Sequence, residues 1–229
     1  MKSTMKYFAL AAVGFFLMSG SALYAQGMGA DTMPKPKNWF TVGPFFTAGA
    51  DVFSGQVPKG LKTDAQFAFT GGAFGAFNFS PKFAIALGVG YEQRGLYFRD
   101  EQSDTLWQST SKINYFSIQP SLKFQAFMVG VSIGMPLSIS QVNTQGPASF
   151  PALVQKTDGD LKTLIDVRMG GMIPIMQNEK SDLNFFVQGS YSLTSALKEG
   201  VDPNNNNAAV KYPLPTLQLG FSYTFELGK

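Results

Sequence analysis

Eight segments of the chain alternate apolar and polar residues with a period of two, and this pattern constrains the fold more than any other feature. Successive side chains of a β-strand point to opposite faces, so each segment has one apolar and one polar face. The sequence therefore predicts eight strands, at residues 39–50, 66–79, 83–94, 113–126, 129–140, 162–176, 183–194 and 216–227.

The polar faces of these segments consist mainly of Gly, Ala, Ser, Thr, Gln and Asn, and the apolar faces contain no charged residue. A soluble eight-stranded ligand carrier would instead need a charged exterior. Charged residues make up only 14% of the chain, against about 25% in an average soluble domain. Because Arg or Lys on a lipid-facing position costs about 2–4 kcal/mol at the midplane, the pattern favours a membrane barrel.

The connections between the predicted strands alternate between short and long. Short turns are expected at residues 80–82, 127 and 177–182, and long loops at 51–65, 95–112, 141–161 and 195–215. An even number of strands with short turns on one side and long loops on the other is typical of bacterial outer-membrane barrels. The predicted fold is thus an eight-stranded antiparallel up-and-down transmembrane β-barrel with short periplasmic turns and long extracellular loops.

Six charged side chains lie on the polar faces, and we expect them to form an ion network in the lumen. The segment KTLIDVRMGGMIPIM (residues 162–176) shows the pattern, because it places two opposite charges on one face, followed by Gly170 and Gly171 to relieve crowding or bend the strand. Three of the six are negative and three are positive, so the predicted network is neutral and plugs the barrel. Its members are Glu92, Arg94, Lys123, Asp166, Arg168 and Glu226.

Aromatic residues gather at the ends of the predicted strands, as in the interfacial girdles of membrane barrels. The expected periplasmic girdle contains Trp39, Phe79, Phe83, Phe124 and Phe225, and the expected loop-side girdle contains Tyr91, Tyr115 and Tyr191.

Three prolines interrupt the predicted strands: Pro44, Pro120 and Pro136. Each removes a ladder hydrogen bond. We expect bulges to absorb them, with a register shift of at most one residue near each.

The first 25 residues have the features of a secretory signal peptide. Lys2 and Lys6 precede an apolar core at residues 7–18, and cleavage is expected after Ala25 or Ala22. Residues 26–38 would form a short periplasmic lead segment and residues 39–229 the barrel. This organisation predicts export to the cell outer membrane.

The composition argues against several function classes. The chain has no histidine and no cysteine, which excludes Ser-His-Asp catalysis and the usual zinc sites. Without Lys2 and Lys6, 16 basic residues face 15 acidic ones, so a nucleic-acid partner is not expected. TDGD (residues 157–160) resembles part of a calcium loop, but a turn is the preferred interpretation. We therefore predict no catalytic, cofactor or metal site, and no enzyme activity.

Two segments, GVGYEQRG (residues 88–95) and INYFSIQPSLKFQ (residues 113–125), resemble the paired third and fourth strands of the PorT-like outer-membrane β-barrel family of Bacteroidota. QLGFSYTF (residues 218–225) is similar to the closing strand that the barrel-assembly machinery recognises. Ser117 stands where that family often has Glu, and Gln119 adds a residue before Pro120. The resemblance implies outer-membrane lipid and the assembly machinery as partners, and an association with protein secretion.

Two functions remain open at this stage. The first is a monomeric barrel with a structural or interaction role, as an accessory of secretion or envelope assembly. Its protein partner would bind the extracellular loops, where apolar residues occur at Phe150, Pro151, Leu153 and Val154. The alternative is a small pore or solute channel, although side chains just fill the interior of an eight-stranded barrel. A surface enzyme that uses Glu92 or Asp166 is the weakest hypothesis.

Overall fold

The computed structural model describes residues 39–55, 57, 60–80, 82–100, 108–144, 156–178, 180–202 and 208–227. The predicted leader and lead segment (residues 1–38) lie outside this range, as do the apolar loop residues Phe150, Pro151, Leu153 and Val154. Within the described part of the chain, no helix is long and apolar enough to cross a membrane.

Eight antiparallel strands form a closed ring, and the predicted fold is confirmed. Each strand pairs with the next along the chain, and the first also pairs with the last, with Phe40 opposite Leu227. Closure pairs the two edges that an open sheet would expose. The strands are β1 (Phe40–Asp51), β2 (Gln66–Ser80), β3 (Phe83–Asp100), β4 (Gln108–Phe124), β5 (Phe127–Thr144), β6 (Leu164–Gln177), β7 (Ser181–Ser192) and β8 (Thr216–Leu227).

Short strands also occur in the long loops. Leu61–Lys62 adds to the end of β3, opposite Asp100 and Arg99. Gly200–Asp202 pairs with Ala208–Val210 in a separate hairpin between β7 and β8.

The apolar faces of the strands point away from the lumen, as predicted. Phe46 is 53% exposed, whereas the adjacent Thr47 is 1% exposed. An apolar surface that extends around the whole ring is foreign to a soluble monomer and matches the lipid-facing band of a membrane barrel. Exposed large apolar residues occur on all eight strands and include Phe46, Phe77, Leu87, Leu122, Val131, Met169, Tyr191 and Leu219.

The girdle prediction is correct except for Tyr115. All five aromatic residues predicted for the periplasmic side are exposed at the turn end, and Tyr91 and Tyr191 also face outward. Tyr115 is buried instead, and its hydroxyl donates to the carbonyl oxygen of Ala196 at 3.3 Å. The outward face of β4 carries even-numbered residues such as Phe116, so the alternation itself places Tyr115 inside.

A β-bulge accompanies one of the three predicted prolines. Tyr115 lies opposite Pro136 but Asn114 lies opposite Ser138, so Leu137 is an extra residue in β5. Beyond the bulge the faces of β5 exchange. The alternation in residues 129–140 predicts that odd-numbered residues, including Ile139, face lipid, but Ile139 packs against buried residues in the lumen. The outward position predicted for Ile139 is therefore wrong because a bulge shifts the register by one residue.

The register is continuous at the other two prolines. The pairs Val42–Phe225 and Phe45–Ser222 flank Pro44 in the same register. The pairs Ile118–Ile133 and Ser121–Gly130 do the same around Pro120. A bulge that was not predicted lies beside Pro174 in β6.

Three strands are longer than predicted on the long-loop side. β3 and β5 each contain 18 residues, about 60 Å at 3.3 Å per residue, whereas a tilted strand crosses the hydrocarbon with about 9–11. Much of the loop predicted at residues 95–112 is therefore strand. The outward Arg99 and Lys112 belong to this extension, which places both charges beyond the apolar band.

Candidate functional site: the barrel lumen

Four of the six predicted lumen charges meet in one buried network. Arg94 donates from Nε to Oε1 of Glu92 at 2.5 Å, and from Nη2 to Oδ2 of Asp166. Arg168 donates from Nη2 to both carboxylate oxygens of Glu92, at 2.7 Å each. None of the four residues is more than 8% exposed. We call this set, together with the fifth member described next, the lumen ion network.

Asp51 is the fifth member, and the sequence analysis missed it. Its Oδ1 accepts from Arg94 Nη1 at 2.8 Å and from Thr216 Oγ1 at 2.5 Å, and its Oδ2 accepts from the backbone N–H of Gly95 at 2.7 Å. The residue was assigned to the first long loop, but it ends β1 on the inward parity that Thr47 shares. Extending the alternation by one residue would have found it.

Lys123 and Glu226 lie on inward-facing parities, as predicted, but near the short turns. Lys123 is eight positions along β4 from Tyr115, which lies opposite Glu92, or about 26 Å. Glu226 is ten positions along β8 from Thr216, which lies opposite Asp51, or about 33 Å. The membership of Lys123 and Glu226 in the predicted neutral set of six therefore stays a prediction.

The network contains three carboxylates and two guanidinium groups, which gives a net charge of −1. β3 and β6 contribute four of the five charged groups, and their side chains meet across the lumen because both strands present these residues on the inward face. Gly170 follows Arg168 on the same face, and a Cβ there would lie 2.4 Å from the carbonyl oxygen of Val187. The expected role of this glycine in relieving crowding is thus confirmed.

A layer of neutral polar side chains lies on the turn side of the network. Oε1 of Gln218 accepts from Gln188 Nε2 at 2.8 Å, from Thr47 Oγ1 at 2.9 Å and from Thr70 Oγ1 at 3.3 Å. An apolar cluster fills the lumen closer to the turns. Its members are Phe45, Phe74, Ala76, Ala84, Ala86, Met128, Met172 and Phe186.

A second apolar cluster, which we call the mouth cap, closes the lumen on the long-loop side. It combines strand residues with residues of the connections that follow β1, β7 and the Ala208–Val210 strand. Arg94 Nη1 donates to the carbonyl oxygen of Leu214 at 3.0 Å, so the ion network also holds the cap in place. The buried members are Phe53, Leu61, Leu96, Phe98, Ile113, Tyr115, Leu164, Ala196, Leu197, Tyr212 and Leu214.

Between the layers lies a cavity of about 40 Å³, with Phe74, Gln119, Arg168 and Gln188 in its lining. At roughly 10–15 Å³ for each water centre, it holds only a few water molecules. The described side chains therefore fill most of the lumen between the turns and the mouth.

The TDGD segment forms a turn, as preferred from the sequence. Asp160 Oδ2 accepts from the backbone N–H and the hydroxyl of Thr157 at 2.9 and 3.1 Å, and Asp158 Oδ1 accepts from the N–H of Ile139 at 2.8 Å. The backbone hydrogen bond from Thr157 is the main reason that the pKa of Asp160 is lowered. Within the described residues, no group of three or more potential metal ligands is present.

Comparison with known proteins finds similarity to solved structures only. No protein-family profile and no curated protein matches it. Among solved structures, it is similar to the outer membrane protein OprG from Pseudomonas aeruginosa (13% identity, 86% of this chain and 100% of that chain, TM-score 0.36). It is also similar to Neisserial surface protein A (12% identity, 82% of this chain and 97% of that chain, TM-score 0.35). A third similar structure is the outer membrane protein AlkL (14% identity, 89% of this chain and 97% of that chain, TM-score 0.36).

The fold defines the class: this is an eight-stranded transmembrane β-barrel with a filled lumen. The resemblance to the PorT-like family stays a prediction.

Proposed function

We propose that the protein is a monomeric, closed outer-membrane barrel with a structural or interaction role and no catalytic activity. The filled lumen is the observation that carries the proposal. An apolar cluster, a polar layer, the ion network and the mouth cap follow one another from the turns to the loops. A channel would instead need a continuous polar path.

Several features support the outer membrane as the location. The lipid-facing band surrounds the ring, and the amino-terminal leader predicts export. The closing strand β8 ends in an alternation of outward aromatic residues, Phe221, Tyr223 and Phe225, of the kind the barrel-assembly machinery recognises. Membrane lipid and that machinery are therefore the partners we propose.

The long-loop side is the proposed interaction surface. β3, β4 and β5 extend past the apolar band and place a rigid platform beneath the loops, where binding residues often concentrate. We propose a protein partner there, in a secretion or envelope-assembly system. An affinity tag inserted at residues 204–207 should capture a reproducible partner from solubilised outer membranes. A deletion strain with normal envelope integrity and normal secretion would contradict the accessory role.

Hydrogen bonding and burial of the carboxylates support the absence of catalysis. Both oxygens of Asp51 and of Glu92 accept hydrogen bonds from buried donors, so neither is poised as a general base. Oδ1 of Asp166 has no donor among the described residues, but Asp166 is only 1% exposed and is therefore not accessible to a substrate.

The pore is the alternative, and single-channel recordings from pure folded protein distinguish the two functions. Brief or no conductance is expected for a closed barrel. Steady open channels would favour the pore and overturn the proposal.

A further inference from the structure

The lumen ion network has one negative charge more than it has positive charges. The side chains that face it from the other strands are neutral: Thr70 on β2, Tyr115 on β4, Ser132 on β5, Ser190 on β7 and Thr216 on β8. From the mouth cap, Leu214 contributes only its backbone oxygen. Of the residues outside the described ranges in the four long connections, Lys59 is the only lysine or arginine. The excess of one carboxylate is therefore not balanced by any described side chain.

An unbalanced buried charge is costly, and buried ions persist in proteins when they are paired and hydrogen-bonded. Four of the six carboxylate oxygens belong to Asp51 and Glu92, and each accepts at least one hydrogen bond. Asp166 differs, because its Oδ2 accepts from Arg94 while its Oδ1 has no hydrogen-bond donor among the described residues. Asp166 is only 1% exposed, so bulk water does not solvate this oxygen. Nε and Nη1 of Arg168 also have no partner among the described residues, but they are donors and cannot take up a cation. Asp166 Oδ1 is therefore the acceptor of the network at which a positive charge can bind.

We propose that the lumen ion network binds one monovalent cation, a proton or an alkali-metal ion, at Oδ1 of Asp166. A single positive charge brings the network to neutrality, whereas a divalent ion would leave an excess of +1. A divalent ion also requires several anionic ligands, and no group of three or more potential metal ligands is found in the described part of the chain. The site goes beyond the proposed function, because a bound cation makes the stability of the barrel depend on solution conditions.

If the bound cation is a proton, the composition of the chain makes its effect on stability easy to assign. Ordinary carboxyl groups titrate near pH 4 and lysines above pH 10, and histidine and cysteine normally fill the interval between them. This chain has neither. In this interval only the α-amino group of the chain and a carboxyl group that retains its proton in the folded barrel can titrate. The Asp166→Asn variant described below distinguishes the two.

The experiment measures urea unfolding of the folded, processed barrel in an uncharged detergent. In the first arm the pH is raised from 6 to 7.5 in buffer free of alkali ions. If the ligand is a proton, the folded state binds one more proton than the unfolded state, so the unfolding equilibrium constant rises about tenfold per pH unit. In the second arm the pH is constant and sodium or potassium chloride replaces choline chloride at constant ionic strength. If the ligand is an alkali ion, the unfolding constant falls up to tenfold for each tenfold rise in its concentration.

Asp166→Asn brings the network to neutrality without a ligand. It should therefore abolish the dependence of the unfolding constant on pH or on alkali ions, whichever the wild type shows. Asp166→Glu keeps the charge and should retain it. Asp182→Asn is the matched control, because Asp182 is a buried, inward-facing acid on β7 outside the network, and its loss should leave the dependence intact. A wild-type barrel that responds to neither pH nor alkali ions overturns the proposal, whether or not Asp166→Asn folds. Persistence of the dependence in Asp166→Asn, or its loss in Asp182→Asn, overturns it as well.

Discussion

Replacement of Arg94 by methionine tests the energetic role of the lumen ion network. Arg94 is fully buried and bonds to all three carboxylates of the network, to the carbonyl oxygen of Leu214 and to the hydroxyl of Ser190. Methionine retains an unbranched apolar chain of similar length but none of these donors. The network charge changes from −1 to −2, with Arg168 as its only remaining cation.

The expected loss follows from the burial of the groups that remain. Removing one partner of a buried ion pair costs about 3–5 kcal/mol, because the other charge stays buried without compensation. This loss corresponds to an increase of roughly two to four orders of magnitude in the unfolding equilibrium constant. It is a large part of the total stability of a typical domain, about 5–15 kcal/mol.

Urea unfolding in lipid vesicles measures this difference, and Arg99→Met is the matched control. Arg99 lies on the same strand, but its ion pair with Asp64, at 3.1 Å, has side chains that are 24% and 54% exposed. Such a pair contributes about 0–1 kcal/mol. If Arg94→Met fails to fold, Arg94→Lys replaces it, with an intermediate loss expected because an ammonium group cannot reproduce the planar fork of donors. Equal losses for the Arg94 and Arg99 variants would refute the assignment of the network as a stabilising plug.

Three further predictions concern the wall and the mouth of the barrel. Val89→Lys, in the middle of the apolar band, should lower the free energy of unfolding in vesicles by about 2–4 kcal/mol. Leu193→Lys, beyond the loop-side end of β7, should lower it by only about 0–1 kcal/mol. Equal losses would contradict the assigned lipid-facing band. Gly72→Ala should destabilise the folded barrel by about 1–3 kcal/mol, because its Cβ would lie 2.1 Å from the carbonyl oxygen of Val89; Gly71→Ala should be tolerated, since its nearest neighbour is the Phe46 ring at 3.4 Å. Burial in the mouth cap raises the pKa of Tyr212 to about 12, so its stabilising contribution is complete below pH 10 and is lost as the pH rises to about 12. A Tyr212→Phe barrel should lack this late transition in phenolate absorbance, and an unchanged titration would argue against the buried position.

The alternation of apolar and polar residues correctly predicted which side chains face outward and which face the lumen. Lipid excludes charge from one face of each strand, so the outward positions of Leu219 or Phe221 can be read directly from the sequence. Glu92, Arg94, Asp166 and Arg168 were located correctly on the inward faces for the same reason. The exclusion operates at every position along a strand and needs no knowledge of the neighbouring strands.

The predictions that were wrong or incomplete concern features that depend on more than one strand. The bulge beside Pro136 reversed the orientation of Ile139, because a strand can shift register only relative to its neighbour. The sequence also could not show how far along the barrel each charge lies, which brings Asp51 into the network and places Lys123 and Glu226 near the short turns. The net charge of −1 follows from those relative heights.

The sequence by itself determined the number of strands, the two faces of the wall and the sorting of charge into the interior, because these depend on the local contrast between lipid and protein. Only the tertiary structure decided which interior charges meet, how the mouth cap closes on them, and that one carboxylate remains without a compensating side chain. Those outcomes depend on the pairing register around the whole ring, which links residues that are far apart along the chain.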